Sequence, residues 1–272
     1  MKFGVTATCG SAQQSIEMAV AAEHAGWDGF FTWDGISVGP MDTFDPWTIL
    51  GAAAVSTTRL TLGAMVFSLP RRKPWEVVRQ ALTVDHLSGG RLVLPVGLGA
   101  IDDGAYSRVS GEHVAARERA DLLDESLEIL ERAWTGEPVS HAGTYHQLTD
   151  LVFRPRPVRG RIPVWVVGSW NAPRSMRRAA AWDGVLPVRR EDAFAPLTPD
   201  ELREVHDWVA GQRGPDRPFE MVVEGVLADG AQAQVAALED AGVTWWIDSN
   251  WDFDTVTPDA LLERIRRGPV PG

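Results

Sequence analysis

The sequence predicts a (β/α)8 barrel (a TIM barrel), an α/β fold in one domain. Three observations carry this. Eight short apolar runs alternate with eight amphipathic stretches. Most of the runs end in Gly, Asp, Ser or Asn, residues that turn a chain at the end of a strand. The length of 272 residues matches one such barrel, typically about 250 residues. No Ser/Gly linker, charge block or low-complexity tract divides the chain, so the expected domain is 1–272. In a barrel of this kind the chemistry sits at the C-terminal ends of the strands.

Each element has its own signal. The first strand is Phe3 to Thr8, and the helix after it carries Ile16, Ala19 and Val20 on one face and closes at Gly26. The second strand covers 29–34. Its helix opens at Asp45-Pro46, a side-chain acceptor followed by a proline whose missing N–H costs nothing there. The third strand is Leu60 to Phe67. The third helix starts at Pro74, buries Val77, Val78, Ala81 and Leu82, and stops at Ser88-Gly89-Gly90. The fourth strand is Arg91 to Gly97. Residues 98–116 read as polar and irregular. A helix over Arg117 to Trp134 follows, with Leu123, Leu127, Leu130 and Trp134 in helical register. Residues 137–161 read as a short hairpin and a proline-rich segment. The fifth strand is Pro163 to Gly168, its helix Pro173 to Ala181, and the sixth strand Gly184 to Val188. The sixth helix opens with the capping box Thr198-Pro199-Asp200-Glu201. The seventh strand is Glu220 to Leu227, its helix Ala231 to Ala241, and the eighth strand Thr244 to Ser249. The last helix runs from Thr257-Pro258 to about Arg267. Long insertions after the fourth and sixth strands are placed where lids belong.

Composition narrows the function classes. The net charge is −11, which argues against a duplex nucleic-acid partner, since that needs a basic footprint. The single cysteine, Cys9, excludes an intrachain disulfide and a Cys-cluster zinc site. No HExxH or His-x-x-x-His pair occurs, so no metal site is expected. There is no apolar run of membrane-spanning length, and the start reads as a strand rather than a signal peptide. The expected location is the cytoplasm.

The strand ends form the rim to search. It offers Cys9, Trp33-Asp34-Gly35, Met65 to Ser68, Gly97, Gly99, Asp102, Gly168 to Asn171, Arg189, Glu224, Asp248, Asn250 and Trp251. Glycines there let backbone approach a flat ligand, and tryptophans add apolar wall with one N–H each. The ordinary alternative is that the glycines turn the chain and the tryptophans are core. Asp34 is the acid–base candidate, a carboxylate at a strand end between Trp33 and Gly35. Cys9, Trp33 and Trp251 are expected to line a substrate pocket. The run Gly168-Ser169-Trp170-Asn171-Ala172-Pro173 leads into a helix N-terminus, which favours an anion. Ser169 and Asn171 are hydrogen-bonding side chains, and Arg174, Arg177 and Arg178 add positive charge; a solvated helix face is the plainer reading of those arginines.

These residues resemble a known family, the luciferase-like flavin-dependent oxidoreductases, which include coenzyme F-420-dependent enzymes. The segments AAEHAGWDGFFTWDG (21–35), DPWTILGAAAVSTTRLTLGAMVF (45–67) and RKPWEVVRQALTVDHLSGGRLVLPVGLG (72–99) carry the resemblance most clearly. It implies a flavin-type ring at the C-terminal mouth of the barrel, with Asp34 beside it. It implies a bulge at Met65-Val66 with a cis peptide under the ring. Gly97 and Gly99 are implied near the ring or its chain, and Gly168, Ser169 and nearby amides around the phosphate, where the residue pattern above also sets Trp170, Asn171 and Arg174. The implied activity is a monooxygenase or oxidoreductase using reduced FMN, or alternatively coenzyme F-420; the tryptophans at the mouth point to a small apolar or aromatic substrate. A homodimer and a separate flavin reductase are implied partners. A longer cofactor tail would need a basic groove, for which the arginines at 154–161 and 174–178 are the candidates. One departure matters: many members have histidine where this chain has Gly35. Two rival readings therefore stand beside the enzyme, a non-catalytic flavin-binding or partner-subunit protein, and a cofactor-free barrel using Asp34 for proton transfer.

Overall fold

The computed structural model describes residues 1–193, 195–214, 217–228, 230–252 and 254–269. The last positions of the expected domain, 270–272, lie outside the described residues. The elements run β1 Lys2–Thr6, α1 Ala12–His24, β2 Gly29–Thr32, α2 Pro46–Ser56, β3 Thr61–Ala64, β4 Phe67–Ser68 and α3 Pro74–Ser88. Next come β5 Leu94–Gly97, α4 Gly104–Ser107, α5 Ala116–Ala133, β6 Val139–Ala142 and β7 Gln147–Leu151. The chain continues through β8 Val164–Ser169, α6 Pro173–Ala181, β9 Gly184–Val188, α7 Pro199–Arg213, β10 Glu220–Gly225, α8 Gln232–Asp240, β11 Trp245–Asp248 and α9 Pro258–Arg266.

The sheet order is β3-β2-β1-β11-β10-β9-β8-β5-β4. The expected third strand is split: β3 and β4 are its two halves, separated at Met65-Val66, whose peptide bond is cis. Leu62 bridges Leu92, and β4 pairs with β5, so this split position closes the ring of parallel strands. The result is the expected α/β barrel. The insertion after the fourth strand position holds α4, and the antiparallel pair β6–β7 follows α5. The polar stretch at 98–116 is not wholly irregular, because Asp103 caps α4 by accepting from the Ala105 amide.

Helix starts follow the local chemistry read from the sequence. Asp45 accepts from the Thr48 amide at 2.8 Å, and Thr198 with Glu201 forms a reciprocal capping box. Gly89 ends α3 in the left-handed conformation, φ 66°.

Strand alternation sorts the apolar residues into two cores. One packs helices on the outer face of the sheet. The other fills the barrel: Phe31, Met65, Val93, Trp165, Leu186, Val222, Trp245 and Ile247. Three large rings share this interior, with Trp165 and Trp245 centroids 5.3 Å apart and Phe31 edge-on to Trp245 at 6.2 Å. They fit because small neighbours give way. A Cβ on Gly29 would stand 2.8 Å from Phe31 Cε2, and one on Gly184 would stand 2.5 Å from Trp165 Cδ1. The barrel interior is thus a plugged core rather than a pore.

Candidate functional site

The mouth is built by continuing each inward register past the plug. Phe31 leads to Trp33, Val93 to Gly97, Trp165 to Val167 and Ser169, Val222 to Glu224, and Ile247 to Ser249. Val66 and Val167 pack onto the plug and make an apolar floor. Gly97 keeps it low between them: a Cβ there would stand 3.0 Å from Val66 Cγ2 and 3.2 Å from Val167 Cγ2.

The side of the mouth over strands β2 to β5 is a closed ionic network. Asp34 has a fully buried side chain that accepts from Arg72 Nη2 at 2.6 Å, Arg72 Nε at 3.1 Å and the Ser68 amide at 3.0 Å, and pairs with Arg71 Nη2 at 2.7 Å, which donates to the Asp34 carbonyl. Asp34, expected as the acid–base group, is thus paired with two arginines and anchors them. Arg71 also bridges to Asp103. Asp103 accepts from the amides of Ile36 and Ser37 at 3.0 and 2.9 Å, tying the loop after β2 to the loop after β5. Burial raises the Asp103 pKa, but the amides of Ala105, Ser37 and Ile36, with Arg71, outweigh it and hold the group below its ordinary value. Beside it Tyr106 donates to the Leu98 carbonyl and shares a hydrogen bond with Ser68 Oγ, while Arg119 lies 5.0 Å over the Tyr106 ring. Gly99, φ 77°, fits under this pair: a Cβ would stand 2.1 Å from Ser68 Oγ.

The opposite side carries a different carboxyl. Glu224, at the end of β10, is partly buried and accepts from Trp251 Nε1, with Ser249 also in hydrogen-bond contact. Ser249 Oγ donates to Thr6 Oγ1 at 2.7 Å, and both residues are buried. Thr8, on the same stretch, has its hydroxyl buried without a partner among the described residues. Burial pushes the Glu224 carboxyl up to about 7, against the pull of Trp251 and Ser249. The sequence placed Glu224 on the rim without a role. The available signal was its inward register two residues after Val222.

Trp33 and Trp251 meet edge to face, with centroids 6.0 Å apart. The Trp33 ring lies over Gly35, where a Cβ would stand 2.2 Å from Trp33 Cζ3. No side chain fits at position 35 in this arrangement. Cys9 does share a cavity with Trp33, but its volume is about 10 Å³, room for about one water. Cys9 therefore lines no substrate-sized space here, and burial raises its thiol pKa.

The expected phosphate end is brought together only in part. Ser169 to Ala172 makes a tight turn, with Asn171 at φ 63° and the Ala172 amide on the Ser169 carbonyl. The Ser169 amide donates to Ser175 Oγ at 3.0 Å, and the Trp170 amide donates to the Val188 carbonyl. Helix α6 has no side-chain cap, so its first amides remain available to an anion. Two of the expected residues have other contacts. Gly168 faces away from the mouth, and a Cβ there would stand 2.8 Å from Met176 Sδ, so it permits close packing of α6 on β8. Arg174 is committed to Asp121 and Asp124 of α5, and Arg178 to Asp124. Burial raises the Asp124 pKa, but hydrogen bonds from Arg178 and Arg174 prevail and hold it low. A single basic groove is also excluded. Arg161 pairs with Asp183, which binds the Val164 amide at the N-terminal end of β8, the opposite end of the barrel from Arg174.

No group of three or more His, Cys, Asp or Glu suited to a metal ion occurs among the described residues.

Residues 1–246 match the family model of luciferase-like monooxygenases. A 4-hydroxyprotoasukamycin monooxygenase of Streptomyces nodosus subsp. asukaensis is 31% identical over 179 residues, 64% of this chain and 46% of that protein. The chain spans about half the length of the curated relatives it matches. Among solved structures, an F-420-dependent secondary alcohol dehydrogenase in complex with an F-420-acetone adduct superposes with TM-score 0.78. It is 16% identical and covers 98% of this chain and 97% of that one. The oxygenating constituent of 3,6-diketocamphane monooxygenase from Pseudomonas putida, in complex with FMN, gives 0.66 at 22% identity, covering 97% and 83%. At these identities the structures establish the shared barrel.

Proposed function

The chain belongs to the luciferase-like monooxygenase family, and from the geometry of its mouth we propose that it is an oxidoreductase that binds a reduced flavin-type cofactor. The observation that carries this is the mouth itself: a low apolar floor of Val66, Gly97 and Val167, walled on one side by Glu224, Ser249 and Trp251. A planar ring with one polar edge suits such a surface. The uncapped start of α6, with Ser169 and Ser175, suits a phosphate through backbone amides rather than through Arg174. When bound, the cofactor supplies the hydride or oxygen-transfer chemistry that side chains lack. The chain's own residues orient it, exclude water and handle the proton.

FMN is the first choice and coenzyme F-420 the alternative. The substrate is a small organic molecule, apolar or aromatic, to match the tryptophan wall of Trp33 and Trp251. A cytoplasmic homodimer of single-domain chains, supplied by a separate flavin reductase, completes the proposal. No described helix is long and apolar enough to cross a membrane. The cofactor-free reading is less favoured, since it needs a free Asp34 and that carboxylate is paired with Arg71 and Arg72.

The test is a tryptophan-fluorescence titration with FMN and with coenzyme F-420, each oxidised and reduced. Saturable quenching by a reduced form is the expected result. Binding of neither cofactor refutes the proposal.

A further inference from the structure

Taking the flavin reading above as its footing, we propose that Glu224 is the proton-carrying residue of the mouth, a neutral carboxylic acid that protonates the ligand seated beside it. Four observations converge on it. Its inward register at the end of β10 sets it directly above the apolar plug, two residues past Val222. Its Oε1 already has a donor in Trp251 Nε1, which is suited to hold the carboxylate left behind. Ser249, whose Oγ meets Thr6 Oγ1, is also in hydrogen-bond contact with Glu224 and, like Trp251, favours the carboxylate left behind. And no charged side chain pairs with Glu224 among the described residues. Arg189, at the end of the neighbouring β9, is bound by Glu201. Asp248, on the neighbouring β11, is bound by Arg264. Asp34, across the mouth, is held by Arg71 and Arg72.

The step balances without a further reactant. The Glu224 O–H bond breaks and its electron pair stays on the carboxylate, facing Trp251 Nε1 and Ser249. The proton forms a bond to a basic oxygen or nitrogen of the ligand, and solvent later restores the acid. Burial supports the required protonation state, holding the group near 7 where an acid works best at neutral pH.

Two measurements test this on the whole protein. The first is an infrared pH titration without cofactor, comparing wild type with Glu224→Gln. The difference spectrum is expected to show one protonated carboxyl band, lost with a midpoint near pH 7. No band, or a midpoint in the ordinary carboxylate range, overturns the proposal. The second is the affinity for reduced FMN from pH 6 to 8.5. Wild type is expected to weaken across neutrality by about tenfold per pH unit at most. Glu224→Gln, which preserves shape but cannot release a proton, is expected to lose that slope. A variant that keeps the wild-type slope overturns the assignment even if its fold is unchanged. Failure of reduced FMN to bind wild type at any pH instead removes the flavin reading, and the infrared titration still stands or falls on Glu224 alone.

Discussion

Asp34→Asn separates an anchoring carboxylate from a catalytic one. In the folded protein Asp34 accepts from both arginines and from the Ser68 amide, with no exposed side-chain surface. Asparagine keeps one acceptor oxygen and turns an NH2 group toward donors. Arg71 keeps Asp103 as a partner, but Arg72 loses the carboxylate it grips with two nitrogens. A charge pair at about 4 Å is worth about 4 kcal/mol at an effective dielectric of about 20, before desolvation is counted. Removing one partner of a buried pair costs about 3–5 kcal/mol, because the other charge stays buried and unpaired. Against a native stability of about 5–15 kcal/mol, that is a large fraction. Urea unfolding reports it directly: the midpoint falls while the slope is preserved. Arg72→Met should be less than additive with it, with a coupling energy of about 1 kcal/mol or more. If Asp34→Asn is as stable as wild type within about 0.5 kcal/mol yet has lost turnover, the anchor reading is refuted and Asp34 regains its acid–base role.

Two further substitutions probe the two sides of the mouth. Glu224→Gln should stabilise the protein above neutral pH. The carboxyl titrates at 4.5 ordinarily and at about 7 when folded, so between these values the native state holds more protons. Stability is therefore full below pH 4.5 and declines as pH rises to about 7. Above that, wild type should trail Glu224→Gln by at most about 3 kcal/mol, less what solvent screens at the partly open mouth. Parallel pH-stability curves for the two proteins would contradict the raised pKa. Gly168→Ala should cost about 1–3 kcal/mol by crowding Met176 and Ala179. Gly168→Asp should cost more, since it also buries a charge. Thermal melts decide this: a Gly168→Asp protein that melts with wild type but binds no cofactor would place Gly168 at the ligand after all.

The barrel was legible because parallel strands covered on both faces read as continuous apolar runs. Caps such as Asp45-Pro46 and Thr198 to Glu201 marked the helices between them, and these signals are local. The split of the third strand at Met65-Val66 was different: only the resemblance pointed to it, and no residue property of LTLGAMVF marks it. The ionic contacts were not legible at all. Arg72 and Asp34 are 38 residues apart, and Arg174 and Asp124 are 50 apart. Nothing in a charged side chain says which distant partner the fold will bring to it. A rim arginine thus looked available for phosphate when α5 had already claimed it.

The departure at Gly35 shows how the two sides of the mouth are linked. A histidine after Asp34 would have to share space with the Trp33 ring, which lies 2.2 Å from the place of its Cβ. Trp33 packs there edge-on to Trp251, and Trp251 donates to Glu224. The glycine is therefore required by an aromatic pair that leads from the end of β2 to a carboxyl at the end of β10. On this geometry the second strand has no room for a side chain at position 35 and contributes the anchor Asp34. The seventh barrel strand carries the titratable group Glu224, held by Trp251, the partner of the tryptophan that fills the space beside Gly35.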